Sequence, residues 1–168
     1  MTADDYLIEY DDLRTSSIRN LLETITNTQG RKLEELKVKD LTYHNSKEIW
    51  PGEGVYIFRD KKNVIYVGKA RSMSFTERIA KHLDFRHFAW FNRLLELICT
   101  RLLELEWNDE NAKKASKYAF ENLNLVLINF KDRNRIDRTE RLLRSCAEPL
   151  NKFKKLKQKN LELILDEY

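Results

Sequence analysis

Two apolar runs separated by a short polar turn near the middle of the chain constrain the fold more than any other feature. Val55 to Arg59 and Val64 to Val67 are rich in β-branched and aromatic residues, and Asp60-Lys61-Lys62-Asn63 lies between them. That pattern reads as a β-hairpin. Two strands alone are marginal in water, so the chain must supply more sheet and covering helices. The hairpin carries Tyr56 in Gly54-Val55-Tyr56 and Tyr66 in Tyr66-Val67-Gly68, ten positions apart. A phenol beside a cation can lose its proton and act as a base toward a phosphodiester. A simple even-length loop puts the two tyrosines on opposite faces, so a shared site requires an odd loop or a bulge.

Downstream, Ser74-Phe75-Thr76-Glu77 has the form of a capping box and predicts a helix start, with Phe75, Ile79 and Leu83 on one face. Arg78 and His82, four apart, share a neighbouring face. Phe88, Phe91, Leu95, Ile98, Leu102 and Leu105 recur at spacings of three and four and predict a helix over 88–105. Core packing is the ordinary use of such a stripe; a homodimer seam is the sharper alternative. Ala112 to Asn122 reads as another helix, and Leu123 to Phe130 as a central strand. A last helix is expected from about Asn134 to Ala147, ending before Pro149. On it Ile136, Glu140, Leu143 and Ala147 form one stripe, which sets the Glu140 carboxylate among apolar side chains. A carboxylate so placed needs a cationic partner or a metal.

Upstream, residues 1–30 read as helical, Arg31 to Leu41 as a second short segment, and Tyr43 to Glu53 as loop. Pro51-Gly52 marks the domain boundary. The expected organisation is a helical N-terminal extension over 1–50, a main domain over 51–153 with a helical insertion at about 86–122, and a basic-to-acidic tail over 154–168.

Charge points toward a polyanion. The chain carries 31 Lys plus Arg against 27 Asp plus Glu, a net charge of +4, which pulls modestly on phosphates. Lys152, Lys154, Lys155, Lys157 and Lys159 crowd one stretch, either as phosphate contacts or as a solvated face. Cys99 and Cys146 are too few for a zinc site or a disulfide framework and read as reduced core residues. The acidic N-terminus lacks an apolar leader, and charges interrupt every apolar stretch. We therefore expect a cytoplasmic, DNA-associated protein without a membrane partner.

Phosphodiester hydrolysis needs a base, charge stabilisation on the phosphoryl oxygens and help for the leaving oxygen. Glu140 could hold a magnesium ion, which often takes only one or two protein carboxylates. Arg78 could clamp a phosphate bidentately. His82, Tyr56 or Tyr66 could move protons, with Lys69 as the cation that lowers a tyrosine pKa. Taken singly, each has an ordinary explanation: tyrosines packed in strands, a surface arginine, a structural histidine, a loop lysine, and a Glu140 salt bridge.

Together, GVY (54–56), YVGK (66–69), Phe75-x-x-Arg78-x-x-x-His82, Glu140, Pro149 and Asn151 resemble the GIY-YIG endonuclease family over about residues 52–153. The resemblance implies an α+β domain with a three-stranded antiparallel sheet flanked by helices. It implies cleavage of DNA with Mg²⁺ or Mn²⁺, leaving 5′-phosphate and 3′-hydroxyl ends. By motif position Tyr56 would activate water, supported by Tyr66 and Lys69. Arg78 would stabilise the phosphoryl transition state, His82 would orient, and Glu140 would bind the metal. Asn151, with Gly54 and Gly68, would close the site. Lys69, Arg71, Arg78, Lys152, Lys154 and Lys155 would contact DNA phosphates. Val55 and Val67 replace the family's isoleucines, the Gly68 to Phe75 stretch is long, and the 88–122 region is enlarged. A non-cleaving nucleic-acid-binding or protein-interaction module on the same fold is the alternative.

Overall fold

The computed structural model describes residues 5–153 and 160–168. In chain order the elements are β1 (Leu7–Glu9), α1 (Tyr10–Leu13), α2 (Ile18–Asn27), β2 (Arg31–Lys32), β3 (Tyr43–His44), β4 (Lys47–Glu48), β5 (Gly54–Asp60) and β6 (Asn63–Ala70). Then follow α3 (Phe75–His82), α4 (Arg93–Leu97), α5 (Asp109–Asn122), β7 (Leu123–Asn129) and α6 (Ile136–Cys146). One π turn, Ile98–Leu102, continues α4. The class is α+β, as expected.

The expected three-stranded sheet is a sheet of five, in the order β1-β7-β5-β6 with β2 also paired to β7. Of the three long strands, the central β5 pairs antiparallel with both β7 and β6. β1 adds to β7 in parallel, and β2 pairs antiparallel further along the same strand. The cause is the composition of β7, which is buried almost throughout. Left as an open edge, such a strand would be an aggregation template. The N-terminal segment covers it, so the helical reading of 1–50 is corrected: among the described residues there, only Tyr10–Leu13 and Ile18–Asn27 are α-helical. Tyr43 to Glu53 likewise contains a two-stranded ribbon, β3 with β4, whose turn residues Asn45 and Ser46 both take positive φ.

The sheet divides the core into two layers. Val55, Ile57, Val67, Val126 and Ile128 point to one face, where α2 and α6 bring Ile18, Leu21, Ile25, Ile136 and Leu143. Tyr56, Phe58, Tyr66, Leu125 and Leu127 point to the other, covered by Phe75, Ile79, Leu94, Leu95, Ile98 and Ala115. Each fully buried aliphatic or aromatic side chain contributes about 1.5–3 kcal/mol. Arg59, 2% exposed, is the charged member of the first layer. Its guanidinium donates to the carbonyls of Thr26, Thr28 and Gln29, which α2 leaves without partners at its C-terminal end.

The 88–105 stripe is corrected as well. Residues 88–92 are not helical, and α4 begins only after Asn92. The Asn92 amide donates to the carbonyls of Asp84 and Arg86 at 3.1 and 2.8 Å, which ties the chain into a loop there. Leu95 and Ile98 are fully buried and so cannot form a dimer seam. Residues 160–168 pack back on the first layer, with Leu165 buried. Among the described residues no helix is long and apolar enough to cross a membrane.

The hairpin contains the feature that positions the site. Register runs Tyr56↔Gly68, Ile57↔Val67 and Phe58↔Tyr66, then shifts to Arg59↔Val64. Ile65 is the extra residue of a bulge. Directly opposed residues share a face, so Tyr66 joins Phe58 and Tyr56. At the next pair the Tyr56 ring lies over Gly68, where an added Cβ would sit 2.3 Å from the phenol. Gly68→Ala is expected to lower stability by about 1–3 kcal/mol, the usual cost of overpacking. The urea midpoint should fall; a midpoint equal to wild type would mean that Tyr56 is not held over Gly68.

Candidate active site

A cleft of about 530 Å³ opens along the free edge of β6. Its walls come from three places: α3 and α4 on the tyrosine face, α6 from the other face, and the segment 149–153 along the edge. That segment is fixed to β6 by backbone geometry. Leu150 N donates to Ile65 O at 2.8 Å. The Asn151 amide donates to Val67 O at 2.7 Å and accepts from Val67 N at 3.2 Å. Asn151 therefore closes the strand edge as a further strand would.

Helix α3 starts where the capping box puts it, with Ser74 accepting from Glu77 N and Glu77 accepting from Ser74 N. Phe75 N also donates to Gly52 O at 2.9 Å. The long Gly68 to Phe75 stretch thus leaves Arg78 at the cleft, where it lies 5.3 Å from the Phe91 ring centroid. His82, one turn on, is 1% exposed and sits between the two phenols, 5.3 Å from the Tyr56 ring and 5.0 Å from the Tyr66 ring.

The tyrosines occupy different environments. Tyr56 is fully buried and does not line the cleft. Burial and the neighbouring Tyr66 raise its pKa despite the pull of Arg78, so it is a protonated phenol. Its hydroxyl shares a 2.6 Å hydrogen bond with His82 Nε2, the donor being set by the imidazole tautomer. Tyr66 lines the cleft. Burial raises its pKa too, while Arg78, Arg144 and Arg93 pull it down and Glu140 pushes it up. Two buried polar atoms beside them, His82 Nδ1 and Arg78 Nε, have no hydrogen-bond partner among the described residues. Unpaired buried groups are costly, and functional sites are where they accumulate.

Glu140 is 6% exposed, and its carboxylate reaches the cleft from α6. Arg144, one turn later, donates from Nη1 to Glu140 Oε1 at 3.1 Å and from Nε to Asn151 O at 2.9 Å. The salt bridge expected as the ordinary explanation is therefore present, but at a cleft wall rather than in a closed core. Among the described residues no cluster of three or more acidic, histidine or cysteine side chains forms a metal site. A magnesium ion does not require one: a single carboxylate facing a phosphate-sized cleft suits an ion that keeps waters and takes substrate oxygens.

Lys69 departs from its expected place. It neighbours Gly68 on β6 and so turns to the other face, where its ammonium lies 2.5 Å from Asp137 Oδ1. That bond, with help from Arg71, holds the Asp137 carboxyl below the usual carboxylate range. Arg71 pairs with Asp137 also. Neither cation sits at a phenol. Lys152 lines the cleft, with Glu148 3.7 Å away; Lys154 and Lys155 lie outside the described residues. Gly54 faces Ile128 O so closely that a Cβ would fall 1.9 Å from it.

Sequence reasoning missed Arg93, Arg101 and Arg144. With Arg78 and Lys152 they give the cleft five cations beside the carboxylate of Glu140, while the ammonium of Lys69 is taken up by Asp137. Arg144 follows Glu140 by four residues, and Arg93, Leu97 and Arg101 recur at four, so the helical spacing was there to read.

The buried histidine gives this site a pH signature. Burial, with Arg78 beside it, lowers the His82 pKa from 6.5 to about 3. Unfolded protein therefore binds the extra proton over that window. Stability is full above pH 6.5 and is lost as pH falls toward about 3. Each pH unit inside the window costs about 1.4 kcal/mol. Urea midpoints measured on descending pH should trace this loss, and His82→Gln should flatten it. An unchanged slope in the variant would contradict a buried neutral His82.

No protein-family model, curated protein or solved structure matches the chain, so the GIY-YIG resemblance rests on the residues themselves.

Proposed function

We propose that the protein is a divalent-metal-dependent DNA endonuclease that hydrolyses phosphodiesters to 5′-phosphate and 3′-hydroxyl ends. The observation that carries this reading is the convergence of Tyr66, Arg78 and Glu140 on one cation-lined cleft. Five cations along an open groove suit a phosphate backbone. Arg78 neutralises a phosphoryl oxygen as charge builds in the transition state. Tyr66, rather than Tyr56, is the phenol that meets the cleft; as the phenolate, which Arg78, Arg144 and Arg93 favour against burial, it accepts the proton of the attacking water, and the departing 3′ oxygen takes a proton from solvent. Tyr56 is a positioning residue that shares a hydrogen bond with His82 Nε2. Glu140, oriented by Arg144, would hold Mg²⁺ or Mn²⁺ together with a substrate oxygen. When bound, that ion supplies positive charge to the phosphate and adds to the pull of the arginines on Tyr66.

A binding module that grips nucleic acid without cutting draws on the same cations. The raised pKa of Tyr66 favours it, since a protonated phenol is a poor base.

Cleavage of labelled duplex, single-stranded, nicked, flapped and branched DNA, with Mg²⁺, Mn²⁺ or EDTA, separates the two. Metal-dependent cutting is expected, abolished by Glu140→Gln while binding in EDTA persists. Binding without cutting under every condition would establish the module. Within the enzyme, Tyr66→Phe should lower kcat by about 10²–10⁴-fold, the range for loss of a general base. Tyr56→Phe should act more on thermal stability than Tyr66→Phe does. The reverse ranking of kcat losses would return the base role to Tyr56.

A further inference from the structure

The stretch 85–91 gathers four aromatic side chains that the core does not use. Phe85, Phe88, Trp90 and Phe91 are 48%, 68%, 84% and 48% exposed. Their backbone is nevertheless fixed. Asn92 bonds the carbonyls of Asp84 and Arg86, Trp107 Nε1 donates to His87 O at 3.0 Å, and Ala89 N donates to Arg86 O at 2.9 Å. Phe91 is held at φ +72°, a region that bulky side chains rarely adopt and that asks for a reason. The loop therefore holds its rings outward on a tied frame.

Cations are interleaved with these rings. Arg86 lies 5.9 Å from the Phe88 centroid, and Arg78 and Lys81 lie 5.3 and 5.5 Å from that of Phe91. Arg78 is at once a wall of the cleft and the cover of Phe91, so loop and cleft are contiguous.

We propose that residues 85–91 are a stacking platform for unpaired bases, which directs the cleft to DNA where paired and unpaired strands meet. The inference rests on the nuclease reading and names its substrate class. Exposed rings alternating with cations match an unpaired strand, whose bases offer π-faces and whose backbone offers phosphates. Bases inside an intact duplex have both faces occupied by their neighbours, so the rings find partners only at a flap, gap, nick or end. A second copy of this chain is the poorer occupant, since Arg78 and Lys81 beside Phe91 would face their own charges.

The test uses cleavage-blocked Glu140→Gln protein in EDTA, with and without the added pair Phe88→Ala and Trp90→Ala. Anisotropy reads binding to a paired duplex and to a flapped duplex of equal length, and 2-aminopurine at the junction reports stacking. Loss of the two rings should weaken flap binding roughly 5- to 100-fold, the span of one to two stacked bases. Duplex affinity should stay within about twofold, because phosphate contacts dominate it. Quenching of the junction base should disappear. Equal losses on both DNAs, or no loss, would overturn the platform. So would a concentration-dependent dimer in sedimentation that the double substitution dissolves, because the rings would then belong to a self-interface. The nuclease reading fails separately: wild-type protein that binds flaps through these rings and never cuts with metal is a stacking module. Metal-dependent cutting at equal rates on duplex and flap keeps the nuclease and removes the platform.

Discussion

The bulge at Ile65 is the constraint on which the site depends. Without it, and with the turn pairing of Arg59 and Val64 kept, every side chain of β6 from Tyr66 onward would change faces relative to β5. Tyr66 would enter the layer under α6 and leave His82 with one phenol. With it, Tyr66 stands opposite Phe58, their ring centroids 6.4 Å apart, and His82 lies between the two tyrosines. Gly68 completes the arrangement by leaving room for the Tyr56 ring. The bulge also sits beside the edge that Leu150 and Asn151 clasp, so one irregularity serves both the phenols and the closure of the strand.

The parts legible in the sequence are those with a long or redundant signal. The hairpin has seven- and eight-residue strands, β7 is apolar on both faces, and α3 has reciprocal caps. β1 and β2 escaped because three and two residues carry no readable period. They are strands because β7 needs a covered edge, which is a tertiary demand. The 88–105 stripe misled for a different reason. Phe88 and Phe91 continue the helical spacing, but Asn92 finds backbone partners at Asp84 and Arg86 and starts the helix later. Spacing alone does not separate rings that enter a core from rings held outside it. The bulge was stated as a requirement of a shared site, and its position was beyond the sequence.

The two tyrosines show how one motif yields two environments. Tyr56 is enclosed by its own sheet and by α3, and its polar atom is satisfied by His82. Tyr66 has its hydroxyl on the cleft side, among Arg78, Arg93 and Arg144. Motif position favours the first as the base, and access favours the second. A base must reach the water whose proton it takes, so on the proposed reading access assigns that role to Tyr66. His82 does not line the cleft and bonds Tyr56, and its unpaired Nδ1 marks the tension left in the site.

Five cations around one open cleft repel one another, and Glu140 offsets only part of that charge. Arg144 shows how the fold limits the cost: its guanidinium is shared by Glu140, the Asn151 carbonyl and the Phe153 ring, 4.1 Å from its carbon. Arg101 is likewise tied to Leu150 O at 2.7 Å, from the π turn that extends α4. These bonds hold the charges in place, but they do not neutralise them. An anion entering the cleft would relieve the remaining repulsion, so on the proposed reading a phosphate backbone bound there adds stability. On that reading the same charges make the grip salt-sensitive, and geometry within it separates a backbone that merely docks from one whose phosphorus lies between Arg78 and Tyr66.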